Sequence, residues 1–411
     1  MNRRTALRSF GLAAFAGGAR SESTMLPDEG LFASNPEAWW SRLRKEQFVL
    51  PEWRAFLNTG TLGVMAKPVL QTTIEHLTRS AELNVDELPR WGGEELDAMR
   101  SEFAAFYGCR KEEFAFSHNT TDGMNTICNG LDLKAGDEVL LTDQEHPGGT
   151  CCWLQKQSRF GIQVREAKIP IPPKSPEDIA DRVIAAVGPR TRVLSMSGIT
   201  TKTGLILPVR RICEAARAKG VLTAVDGAHM PGQVPVDLHE LGCDFFAGSP
   251  HKWMFTPVGC GFLYVRDEVQ DRLWGNVVTY NWDNHKIGAA RFQMRGTNNR
   301  AVLEGHLAAL RFFRQVGPER IYQRAHALAR EAYRKAAGLP DVEMLTPDDD
   351  RQFAGMVTFL ARRLNADRFW KRVAEKRIWL PRMENVRIST HLHTRPSDLD
   401  LVFGILRESM T

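Results

Sequence analysis

Four short apolar runs in this chain end in residues that can do chemistry. Residues 221–225 lead into Asp226-Gly227-Ala228-His229, and residues 243–247 lead into Gly248-Ser249-Pro250-His251-Lys252. A third run, around Phe114 to Phe116, ends in Ser117-His118-Asn119-Thr120-Thr121-Asp122-Gly123; a fourth, from Glu138, ends in Gln144-Glu145-His146. In open α/β sheets ligands bind beyond the carboxyl ends of the strands, so these four ends belong together. They offer an amine, a carboxylate, a phosphate cradle and an imidazole. Lys252 can condense with an aldehyde, and apolar surroundings would help to hold its amine unprotonated. Asp226 can pair with a heteroaromatic nitrogen and keep it protonated. Thr120 and Thr121 precede a helix whose free N–H groups and dipole favour a phosphate dianion. Ser249 and His251 sit beside Lys252 and can reach the same phosphate, and His146 can stack on a ring. Singly, each has an ordinary explanation: a surface lysine, an Asp-Gly turn, a Thr-Thr helix cap. Jointly, in this order, they form the inventory that pyridoxal 5'-phosphate requires.

The elements that must position these residues follow from periodicity. Runs at 113–116, 138–142, 192–195, 221–225 and 243–247 read as short strands that are apolar almost throughout, with helical stretches such as 208–219 between them. That pattern predicts an α/β fold whose mostly parallel sheet is covered by helices on both faces. At 411 residues the chain exceeds what one hydrophobic core usually organises. Past Thr297 the character changes to long helices (301–316 and 318–337), a few strands and a last helix from Pro396, which reads as a smaller α+β C-terminal domain. The expected division is a leader over 1–30, an N-terminal helical arm over 31–57, a large cofactor-binding domain over 58–296 and a small domain over 297–411. Residues 36–57 read as a tryptophan-bearing helix that ends in the turn-rich loop Asn58-Thr59-Gly60-Thr61-Leu62-Gly63.

Several function classes recede. No stretch reaches the 18 or so apolar residues of a membrane span. The net charge of +5 is spread along the chain and forms no concentrated basic face for nucleic acid. Residues 362–377 are basic, but Leu364, Phe369, Trp370 and Val373 interrupt them as in an amphipathic helix. The seven cysteines show no paired CxxC spacing and read as reduced, mostly buried thiols, with no metal site. His391 and His393 read as same-face histidines of a strand near a pocket. At the N-terminus, Arg3-Arg4 precedes a short apolar run and Ala14-Phe15-Ala16. This resembles a twin-arginine export signal, and periplasmic location through that machinery is the expectation, with the cytoplasm as the alternative.

The block 225–229, then 241–247, then Ser249-Pro250-His251-Lys252 resembles the class V aminotransferase family, which includes cysteine desulfurases and isopenicillin N epimerase-like enzymes. Asn119-Thr120-Thr121, Glu145-His146, Gly204 to Pro208, Gly296-Thr297-Asn298 and Val386-Arg387-Ile388-Ser389 fall at the positions that this resemblance expects. It implies pyridoxal-phosphate fold type I, with His146 stacked on the cofactor, Asp226 at its nitrogen, and Thr121, Ser249 and His251 on the phosphate. It implies further that His229 bonds the ring hydroxyl, with Thr201 in the same region, and that Arg387 clamps a substrate carboxylate, with Asn58 as a second substrate-binding residue. Thr297 would reach the phosphate of a neighbouring subunit, which makes a homodimer. No cysteine follows Cys260, so the mobile nucleophile of a persulfide-forming desulfurase is missing. With His229 where desulfurases carry Gln, the epimerase-like branch fits better. The expectation is an enzyme acting at the α-carbon of an amino acid, or of the amino-acid end of a larger peptide, by epimerase-like or aminotransferase chemistry. A C–S lyase on a cysteine-derived substrate is the alternative. A non-catalytic binding module would show decay at Lys252, Asp226 or the cradle, and all three are intact.

Overall fold

A computed structural model of the protein describes residues 26–82 and 94–410. Arg3, Arg4 and the rest of the leader up to residue 25 lie outside the described residues. The chain begins with α1 (Glu29–Ser34) and α2 (Pro36–Gln47), each capped by a side chain, Asp28 and Asn35. The helix expected over residues 36–57 therefore stops ten residues early. Pro51 disfavours helical backbone at Leu50, and Ala55 and Leu57 then bury side chains at the two-residue spacing of a strand. Accordingly β1 (Ala55–Phe56) pairs in parallel with Ile378–Trp379, far along the chain. Helices α3 (Lys67–Glu82) and α4 (Glu94–Phe106) follow.

The central sheet is built by alternation. β2 (Phe114–Ser117), α5 (Thr120–Gly130), β3 (Glu138–Thr142), α6 (Pro147–Phe160), β4 (Gln163–Ala167), α7 (Pro176–Ala186) and β5 (Thr191–Ser197) come in turn. Then come α8 (Val209–Ala218), β6 (Leu222–Gly227), the short α9 (Leu238–Leu241), β7 (Phe245–Gly248) and β8 (Gly261–Val265). The strand order is β2-β8-β7-β6-β5-β3-β4, and only β8 runs against its neighbours. Two of the seven strands lie outside the five expected. β4 is a polar edge strand, which carries little apolar signal. β8 is apolar but follows the Lys252 segment with no helix between.

The sheet is apolar on both faces for a geometric reason. Successive strand residues point to opposite sides, so Leu140, Leu194, Val225 and Phe246 enter one core cluster while Val139, Val193, Ala224 and Phe245 enter another. Burying one such large side chain contributes about 1.5–3 kcal/mol, so helices on both faces are energetically required. Close packing then sets the site: a Cβ on Gly123 of α5 would lie 2.6 Å from the Cβ of Ala247. Only glycine lets the start of α5 lie this close to the end of β7.

After the central sheet come α10 (Arg300–Val316) and α11 (Pro318–Ala337), then β9 (Val342–Met344), β10 (Met356–Ala361), α12 (Ala366–Glu375), β11 (Ile378–Trp379), β12 (Val386–Ser389) and α13 (Pro396–Ser409). β12, β10 and β9 form an antiparallel sheet, whose apolar cluster takes in Leu328, Val357, Phe359, Ile388 and Phe403. Residues 362–377 are a helix over their middle ten, with Phe369 and Val373 buried. α10 lends Leu303, Leu310 and Phe313 to the large core. The N-terminal segment crosses to the C-terminal part of the chain, where β1 pairs with β11 and an isolated bridge joins Asn58 to Ser389 of β12. That crossing carries Gly60 and Thr61 to the ends of β6 and β7. His391 and His393 stand in a turn just past β12 and not within a strand; both are buried, with rings 5.6 Å apart.

Candidate active site

The ends of β3, β6 and β7, the start of α5 and the Gly60-Thr61 loop enclose a cavity of about 280 Å³. Thr120, Thr121, His146, Thr201, Asp226, Ser249, His251, Lys252 and Arg387 all line it. Nine of the sequence-expected residues, from six separate chain segments, thus face one space.

The cradle end is made by α5. Asn119 caps the helix through the Asp122 N–H at 2.9 Å, the Thr120 N–H donates to Ser249 Oγ at 2.9 Å, and Thr120 Oγ1 donates to the Ala247 carbonyl at 3.2 Å. First-turn amides have no partner within their own helix; with those of Thr120 and Asp122 bonded to Ser249 and Asn119, this end offers the cavity the Thr121 N–H and the Thr121 and Ser249 hydroxyls. His251 Nδ1 lies 3.4 Å from the Cys260 carbonyl, and burial lowers its basicity. These are donors suited to a phosphate.

Asp226 and Lys252 sit deeper. Asp226 is 5% exposed, and burial raises its carboxyl above the usual range while the Ala228 N–H, 3.0 Å from Oδ1, and Lys252 pull the other way. Burial brings the Lys252 amine down to about 8, with Asp226 opposing and Arg387 adding to the fall. Lys252 Nζ contacts His229 Nε2 at 3.2 Å. His229 is buried behind Lys252 and held neutral, its basicity far below the usual range because of burial. His146 caps α6, its Nδ1 accepting the Gly148 N–H at 3.0 Å.

Arg387, on β12, is 3% exposed, and no carboxylate of the described residues is among its partners. Its guanidinium donates to the Thr201 carbonyl and Oγ1 at 3.0 Å each, to Asn58 Oδ1 at 3.2 Å and to Thr61 Oγ1 at 2.8 Å. Among the described residues its Nε has no partner, and burial alone lowers its basicity to about 10. A buried cation held only by neutral acceptors calls for a counter-anion from a ligand. Asn58 and Thr201 both hold Arg387; Thr201 also faces the cavity, and Asn58 stands behind.

Thr297 is not brought into this chain's own cavity. It is exposed and lines a separate cleft of about 50 Å³ with Ser117, His118 and Arg295. Other site residues were given no role from the sequence. Glu145 is buried and pushed up to about 7 by burial, with the Asp226 carboxylate acting the same way, and it accepts from Ser197 Oγ at 2.6 Å and Thr142 Oγ1 at 2.5 Å. Gly148 and Gly149 keep the floor open: a Cβ on Gly149 would lie 2.7 Å from Asp226 Oδ2. Gly63 approaches so closely that its Cβ would meet the Lys252 carbonyl at 2.0 Å. The Gly-Gly pair after His146 was the available signal.

A family description, aminotransferase class V, matches residues 58–382. The chain belongs to the class V aminotransferase family. It is 30% identical over 398 residues to an isopenicillin N epimerase of Amycolatopsis lactamdurans, covering 90% of this chain and 98% of that one. A cysteine desulfurase of Enterobacter sp. (strain 638) is 26% identical over 310 residues, covering 72% and 75%. Among solved structures, C-DES with glycine covalently linked to its pyridoxal-phosphate cofactor superposes with a TM-score of 0.77 at 24% identity, covering 86% of this chain and 96% of that one. The fold is thus fold type I, and the epimerase-like branch named from His229 is represented among the relatives.

Proposed function

We propose that this chain is a pyridoxal-phosphate enzyme that acts at the α-carbon of an amino acid, or of an amino-acid end of a larger peptide, by epimerase-like or aminotransferase chemistry. The observation that carries this reading is a buried amine, a buried carboxylate and an uncompensated buried guanidinium around one cavity. The donor set fits the cofactor: hydroxyls and the Thr121 amide at one end for phosphate, Asp226 for a ring nitrogen, His146 for a ring face, His229 for a ring hydroxyl, and Lys252 for the aldehyde. Pyridoxal phosphate supplies an electron sink for negative charge at the α-carbon. Lys252 Nζ takes and returns the α-proton, a task suited to an amine tuned near 8. Arg387 receives the substrate carboxylate in its bidentate fork. The cysteine desulfurase relative supports the second reading, C–S bond cleavage on a cysteine-derived substrate.

Arg387→Ala tests the division of labour. A charge-assisted hydrogen bond contributes about 1.5–3 kcal/mol, so KM for carboxylate substrates rises about ten- to a hundredfold. Cofactor content, read from the visible band, stays at the wild-type level. Loss of cofactor from a folded variant contradicts the assignment.

Two further proposals concern assembly and location. Thr297 completes the phosphate site of a second copy, a reading supported by its distance from its own cavity and by exposed Trp274, Tyr280 and Trp282 on the segment before it. Arg3 and Arg4 address the folded enzyme to twin-arginine export. Changing both to Lys keeps charge but spoils the address, so coloured protein accumulates in the cytoplasmic fraction. Unprocessed wild-type protein in that fraction overturns the export reading.

A further inference from the structure

Trp253 follows Lys252 directly and is fully buried. Its indole N–H points at His229 Nδ1 across 3.3 Å. An indole nitrogen donates and never accepts, so His229 Nδ1 must present a lone pair. A neutral imidazole that accepts at Nδ1 carries its proton at Nε2, and Nε2 is the atom that faces Lys252 Nζ at 3.2 Å.

We propose that Trp253 is a positioning residue that fixes the tautomer of His229, so that its Nε2–H is aimed at the Lys252 nitrogen. The inference rests on the reading of Lys252 as the cofactor lysine. The positive end of that N–H disfavours a positive charge on the Lys252 nitrogen, whatever that nitrogen is bonded to. It therefore acts in the same direction as burial. Charged or titratable groups facing the pair are Asp226, Arg387, His146 and His251. Asp226 alone favours a proton on Lys252, and Arg387 opposes it.

Trp253 cannot turn away. Its carbonyl accepts His391 Nε2–H at 2.8 Å, and that proton is assigned because His391 Nδ1 accepts the Leu392 N–H at 2.7 Å. Its ring lies against Gly355, where a Cβ would meet Cζ3 at 2.8 Å. Gln233 locks the other side, donating to the His229 carbonyl at 2.7 Å and accepting the Gly355 N–H at 2.8 Å. The buried His391 thereby acquires a purpose that a metal or a pocket lining would not give it.

Trp253→Phe keeps the ring and removes the donor. Nitrogen-15 NMR of the purified full-length holoenzyme should find His229 protonated at Nε2 and bare at Nδ1, and in the variant should find a substantial Nδ1–H population. The pH midpoint of the visible absorption band should rise by about one unit in the variant, a tenfold change in the proton equilibrium. In a His229→Gln background, whose amide N–H needs no tautomer, Trp253→Phe should leave the midpoint where it was. A wild-type His229 protonated at Nδ1, or a tautomer and midpoint indifferent to Trp253→Phe, overturns the proposal. The tautomer is read at His229 itself, so failure here is distinct from finding the cofactor on another lysine.

Discussion

Asp226→Asn should fold, bind cofactor and lose about a hundred- to a thousandfold in kcat. Asparagine reproduces the shape of the side chain and can still accept the Ala228 N–H that now bonds Oδ1. What it cannot supply is negative charge at the end of β6, where burial makes charge scarce and each interaction strong. Removing one preorganised electrostatic partner from such a site costs about 10²–10³ in turnover. Steady-state kinetics with the thermal midpoint as control decides it. Wild-type turnover in a stable Asp226→Asn protein removes Asp226 from the chemistry, whereas a collapsed thermal midpoint makes the residue structural.

Much of this site was legible from strand ends because a parallel sheet imposes a rule: the residue after each strand faces the ligand side. Asp226, Lys252 and His146 were placed by that rule alone. Thr120 and Thr121 were readable because a helix start has its own chemistry. Contacts between distant segments were not readable. Nothing in Asn58-Thr59-Gly60-Thr61 says that it will bridge to Ser389 and hold Arg387, since that pairing depends on β1 meeting Ile378–Trp379 over 300 residues later. The early end of α2 was in principle visible at Pro51. The edge strand β4 was hidden by its polar sequence, and β8 by the absence of a helix before it. The Trp253 contact was not readable, because a donor aimed at one imidazole nitrogen has no sequence signature.

The second large effect is at Lys252. Lys252→Arg keeps the positive charge, but a guanidinium does not deprotonate and cannot form the covalent link or act as the base. Turnover should fall by at least the 10²–10⁴-fold that a positioned general base contributes, and the loss of covalent attachment adds to it. A competing buried amine exists, which makes site assignment a real question. Lys156 is also buried and lowered in basicity, but its Nζ is tied to the carbonyls of Cys128 and Leu131, away from the cavity. Burial alone therefore does not select the reactive lysine; facing Asp226 across open space does.

The direct measurement is borohydride reduction of the purified, coloured enzyme, followed by digestion and peptide mapping. A single pyridoxyl adduct on the peptide containing Lys252, with none formed in Lys252→Arg, is the expected result. An adduct on Lys156, Lys202 or any other lysine, or an enzyme that binds no cofactor, would contradict it.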